Sequence, residues 1–153
     1  MKPKFILPFV MMVFCSIFIQ TAVNAEKVRN WVFIDTNHDG DSLYYDSNSF
    51  KNRDKGIFDV DVKYVYSSAG KQDIARWAKE KGYYTAEYEN LSYEIAWYAF
   101  DYGSAMCAEF SWDMYTDQGE DIDGGAPFGD WETFDSDSPL YLICQKIKRD
   151  FNL

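Results

Sequence analysis

The run IFDVDVKYVY, residues 57–66, limits the fold more than any other stretch of the chain. Phe58, Val60, Val62, Tyr64 and Tyr66 alternate with Asp59, Asp61 and Lys63, so one face is apolar and the other largely solvated. A period of two predicts a half-buried strand, the kind that antiparallel sheets are built from. Trp31-Val32-Phe33-Ile34 and Leu43-Tyr44-Tyr45 read as two more strands, with Asn37 to Gly40 as the hairpin turn between them. LSYEIAWYAFDY and AMCAEFSWDMYT, residues 91–102 and 105–116, read as a long antiparallel pair turning at Tyr102-Gly103. A short strand is expected from Trp131 to Phe134.

The period changes in SAGKQDIARWAKEKG, where Ile74, Trp77 and Ala78 recur at three and four. With Ser67 or Ser68 to cap its start and Gly82 after its last lysine, this segment predicts a short helix. A second helix is expected after Ser138 and Pro139, with Leu140, Ile143, Cys144, Ile147 and Phe151 on one stripe. Lys146, Lys148 and Arg149 fall toward its negative end. DQGEDIDGGAPFG, residues 117–129, lacks apolar period and reads as a loop.

Residues 1–25 read as a secretory signal peptide: Lys2 and Lys4, an apolar run from Phe5 to Ile19, then Val23-Asn24-Ala25. Bulky Val13 and Phe14 precede Cys15, so no lipid-attachment box is expected, and the protein is expected to be secreted or periplasmic without a membrane anchor. The remainder, 26–153, has the length of one domain. The leader holds two of the 15 basic residues and none of the 25 acids, so the mature chain would carry 13 against 25, a formal charge of −12. Such a surface repels phosphate backbones, which argues against nucleic acid as a partner.

Cleavage after Ala25 would also remove Cys15 and leave two cysteines, Cys107 and Cys144, in an oxidising compartment. Alternation puts Met106, Ala108, Phe110, Trp112 and Met114 on one face of their strand and Cys107 on the other. Cys144 lies in the apolar stripe of the last helix, so a Cys107–Cys144 disulfide is expected to pin that helix across the face Cys107 occupies.

DTNHDGDSLYYD, residues 35–46, has the order of a calcium-binding EF-hand loop, with oxygen-bearing side chains at places one, three, five, seven and twelve and glycine at six. Asp35, Asn37, Asp39 and Asp41 are the ligands such a site would use. The flanks read as strands, however, and the twelfth residue is Asp46 where an EF-hand has a bidentate glutamate. A hairpin turn accounts for the same letters, because Asn, Asp and Gly tolerate a left-handed backbone. No cofactor is otherwise expected, and the lone histidine, His38, offers no hydrolase triad. Paired carboxylates for a periplasmic enzyme are one alternative, and a small calcium-stabilised extracytoplasmic domain is another. The acidic stretch with Asp121 and Asp123, and the tyrosines Tyr98 and Tyr102, are candidate contacts for a partner.

The sequence resembles the surface-adhesin protein E-like domain family of bacterial secreted proteins and lipoproteins. The likeness rests on Trp31 followed by DGDSLYYDSNSF, on IFDVDVKYVY, on Cys107 ten residues before Asp117-Gln118-Gly119, on Trp131, and on SPLYLIC ending at Cys144. It implies an α+β fold: an antiparallel sheet of about six strands with a C-terminal helix disulfide-tied across one face, here with a short inserted helix. It also implies a secreted, non-catalytic binding module that recognises a host, envelope or extracellular-matrix protein through its surface.

Overall fold

The computed structural model describes residues 28–53, 56–127 and 129–153. The expected leader, 1–25, lies outside the described residues. The chain forms β1 (Trp31–Thr36), β2 (Ser42–Asp46), β3 (Lys51–Asn52), β4 (Ile57–Val65), α1 (Ser68–Lys81), a 3-10 turn (Ala86–Asn90), β5 (Leu91–Asp101), β6 (Met106–Thr116), β7 (Asp121–Gly125), β8 (Glu132–Thr133) and α2 (Pro139–Phe151). All the strands join one antiparallel sheet of eight, so the fold is α+β. Six run in the continuous order β1-β2-β4-β5-β6-β7. The other two, β3 on β4 and β8 on β6, are only two residues long; β8 falls within the strand expected from Trp131 to Phe134, and β3 is too short to show in a sequence period.

Register decides what each face meets. Phe58 stands opposite Phe100 and that opposite Cys107; Val60 aligns with Tyr98 and Glu109, Val62 with Ala96 and Trp112, and Tyr64 with Glu94 and Met114. Both helices cover this face. Ile143, Cys144 and Ile147 of α2 close the main core over Phe58, Val60, Val62, Phe100 and Cys107, all buried. Ala78 of α1 closes a second core with Tyr88, Leu91 and Met114, and Ile74 and Trp112 pack beside it.

The alignment corrects the expected faces of β6. Tyr98 pairs with Glu109 but Trp97 pairs with Ser111, so Phe110 is an extra residue and the alternation changes phase there. Trp112 and Met114 therefore share the helix-covered face with Cys107 and Glu109, while Ala108 and Phe110 face the other way. A second correction is β7, which forms inside the stretch expected to be a loop. Its glycines lie against the preceding strand: a Cβ on Gly125 would meet the Trp112 indole at 2.9 Å. Strand pairing there rests on close approach rather than on an apolar period.

Both helices begin and end as their caps require. Ser138 accepts from Tyr141 N at 3.2 Å with Pro139 in the first turn, and Asn152 ends α2 with a positive φ of 54°. In α1, Ser67 accepts from Gly70 N at 3.0 Å, and Gly82 closes the helix at φ 78°. The buried Asp41 carboxylate sits against this helix start, accepting from Ser67 N at 2.7 Å, and so ties the β1–β2 turn to α1. A Cβ on Gly70 would overlap Asp41 Oδ1. Gly70→Ala is therefore expected to lose about 1 to 3 kcal/mol in chemical denaturation, as overpacking does. In an Asp41→Ala background the same change should be neutral or favourable, since alanine is the better helix former. Equal effects in the two backgrounds would refute the contact.

Candidate functional site

The 35–46 segment is built as a turn. Asn37 Oδ1 accepts from Asp39 N at 3.0 Å and from Asp41 N at 2.8 Å, and Asp41 Oδ2 accepts from Asn37 Nδ2 at 3.1 Å. Asp35 Oδ1 turns back to Thr36 N, and Asp39 lies 3.0 Å from the exposed His38 ring. Gly40 supplies the left-handed backbone, at φ 87°. The four oxygen-bearing residues thus serve local donors instead of converging on one point, and among the described residues no three His, Cys, Asp or Glu side chains gather as a metal-binding group.

Tyr98 and Tyr102 lie at the helix-covered side, partly buried against the main core. Tyr102 stacks 6.3 Å from Phe58, with Lys148 Nζ 5.1 Å from its ring centroid. Tyr98 belongs to a carboxyl and phenol network under the helices. It donates to Glu109 Oε1 at 2.7 Å and is hydrogen-bonded to Tyr64, while Tyr66 donates to Glu94 Oε2 at 2.7 Å. Burial pushes Glu94 up to about 7, with the Glu109 charge adding to it and the Tyr66 bond opposing it. Glu109 is likewise raised by burial, against the pull of Tyr98. A groove of about 370 Å³ between Ile74 and Trp77 of α1 and Trp112 and Met114 of β6 is lined by both glutamates. Asp123 is on β7, accepting from the Tyr88 phenol at 2.5 Å, and Asp121 is exposed on the same strand. The four candidate contacts are therefore not gathered into one site.

Cys107 and Cys144 are free thiols in the structure rather than bonded, which differs from the expected disulfide. Their placement nonetheless follows the expectation, because both are buried in the core that α2 closes over the sheet. Burial pushes each thiol up to about 11.

Among the described residues no helix covers the opposite sheet face, and it carries three aromatic pairs. Phe33 meets Tyr44 edge-on at 5.5 Å, Tyr93 stacks on Tyr115 at 5.0 Å, and Trp97 lies 4.7 Å from Phe110. Phe33 is 50% exposed and Trp97 38% exposed. Toward the β1 end, two cations lie against the Trp31 ring, Arg29 at 5.2 Å from its centroid and Lys63 at 5.7 Å. Lys63 Nζ also lies 3.8 Å from the Tyr93 centroid. Burial, with the Arg29 charge adding to it, holds this ammonium below the usual lysine range.

Sequence reading missed this face for a physical reason: alternation separates two faces of a strand but does not say which one the helices take. The two-sided aromatic content of β5, with Trp97 out of phase with Tyr98 and Phe100, was the available signal. No family model matches the sequence, and no curated protein matches it.

Proposed function

We propose that the protein is a secreted, non-catalytic binding module, adhesin-like, that recognises an extracellular-matrix or envelope protein through the helix-free face of its sheet. One observation carries this reading: Phe33, Tyr44, Trp97 and Phe110 hold large aromatic surface on a face that no helix of the described chain covers. Aromatic side chains on a rigid sheet make good anchors, since they bring contact area with little rotamer entropy to lose. The formal charge of −12 without the leader would keep such a protein soluble and favour partners with basic rims. In an oxidising compartment a Cys107–Cys144 bond would fasten α2 across the other face, leaving a stiff platform.

The reading is tested by surface plasmon resonance on immobilised extracellular-matrix proteins. A Phe33→Ser, Trp97→Ser double variant is expected to bind at least about 30-fold more weakly than the parent, the loss of roughly one hot-spot residue. Gln72→Ala, exposed on α1 on the other side of the sheet, should bind as the parent does. Undiminished binding by a double variant that still melts as the parent does would remove the face from recognition.

A further inference from the structure

The helix-free face contains a concavity of about 690 Å³ whose charge is opposite to that of the chain as a whole. Its walls include the rings of Trp31, Tyr93 and Tyr115, and its charged groups are Arg29 and Lys63. The volume falls within the roughly 300 to 1,000 Å³ of small-ligand sites.

Lys63 is the unusual member. The sequence holds 25 acids, yet among the described residues none forms an ion pair with Lys63; its ammonium meets two aromatic rings instead. Arg29 donates to Asp61 Oδ2 at 2.9 Å and keeps its remaining donors. Placing two cations beside each other on one apolar floor costs mutual repulsion, and partial burial costs Lys63 some hydration. Asp61 already offsets the charge on one edge of Arg29, and an anion beside Lys63 would offset what remains. The rings indicate what carries that anion. With Tyr93 already against Lys63 and Tyr115, the rings of Trp31 and Tyr115 are the flat apolar walls suited to the C–H face of a sugar ring, whereas a bare anion gains nothing from them. Gln118 at the rim adds an amide side chain for hydroxyl groups. The surroundings limit the charge. Asp61 and Asp113, which feels both Asp121 and Arg29, stand close by, so a chain of many anions would meet repulsion on leaving the concavity.

We propose that this concavity binds a sugar bearing a single carboxylate, its ring against the aromatic walls and its carboxylate between Lys63 and Arg29. The proposal rests on the helix-free face being the recognition surface, and it names the ligand class that face would take.

The test follows the Trp31 indole N–H resonance while titrating three probes: methyl glucuronide, methyl glucoside, which lacks the carboxylate, and acetate, which lacks the ring. Methyl glucuronide should shift the resonance saturably, with the other two at least about tenfold weaker, the loss of one charged contact. Lys63→Met should weaken methyl glucuronide binding by a similar factor without changing the melting temperature. Failure of methyl glucuronide to bind, or equal binding by acetate or by methyl glucoside, would overturn the proposal. If Lys63→Met still binds matrix protein as the parent does while methyl glucuronide binds neither protein, the sugar site falls and the recognition face stands.

Discussion

Refolding in a glutathione redox buffer is expected to join Cys107 to Cys144, lower the mass by two hydrogens, and raise the unfolding free energy by about 3 to 4 kcal/mol over the reduced protein, the entropy of closing a loop of about 38 residues. Both sulfurs already share one core, with Cys107 6% and Cys144 1% exposed, and the Cys144 thiol feels Cys107 through space. The route matters. With each thiol pushed up to about 11, only about one molecule in a few thousand carries the reactive thiolate at pH 7.5. Oxidation of the folded protein should be slow, while the unfolded chain has ordinary thiols. Oxidised glutathione takes two electrons and the two thiol protons and leaves as two reduced molecules, so no other oxidant is needed. The Cys107→Ser, Cys144→Ser variant should show no redox dependence of its stability. If the parent, too, melts identically with and without reductant, or if both sulfurs alkylate after oxidative refolding, the covalent link between α2 and the sheet is wrong.

Where the sequence was legible, each signal was local. The alternation of β4 placed Phe58, Val60, Val62 and Tyr64 on one face because a nine-residue strand repeats its period often enough to be read. Ser67 with Gly82, and Ser138 with Pro139, marked helix ends because capping is a property of neighbouring residues. What stayed hidden depended on partners distant in the chain. The Phe110 bulge is set by pairing with β5 and carries no glycine or proline to announce it. β7 exists because Gly124 and Gly125 can approach Asp113 and Trp112, a contact invisible until the strands are side by side. The candidate site divides the same way. The turn at 37–40 could be read from its letters, whereas the concavity around Lys63 joins β1, β4, β5 and β6 with Arg29 ahead of β1.

Glu94→Gln is expected to stabilise the protein at pH 8 by about 3 kcal/mol, with the gain fading to nothing near pH 4.5. Glu94 stands on β5 opposite Tyr64 and Met114, and burial raises its carboxyl from 4.5 to about 7. A carboxyl whose folded value exceeds its unfolded value binds its proton more tightly in the folded state. Its contribution is therefore complete below pH 4.5, declines as pH rises through 7, and is absent above that, where folding must carry a buried charge. Glutamine removes the titration and keeps an acceptor for the Tyr66 phenol, now 2.7 Å from Glu94 Oε2. The other acids titrate alike in both proteins, so the difference between variant and parent, measured by urea denaturation from pH 4.5 to 8, isolates this group. It should grow across the interval between the two values and level off above pH 7. A difference that is constant over the range would mean that Glu94 ionises as it does in water. The groove beside Trp77 and Trp112 would then be fully hydrated, and the phenols around it would be solvating a carboxylate rather than holding a neutral acid.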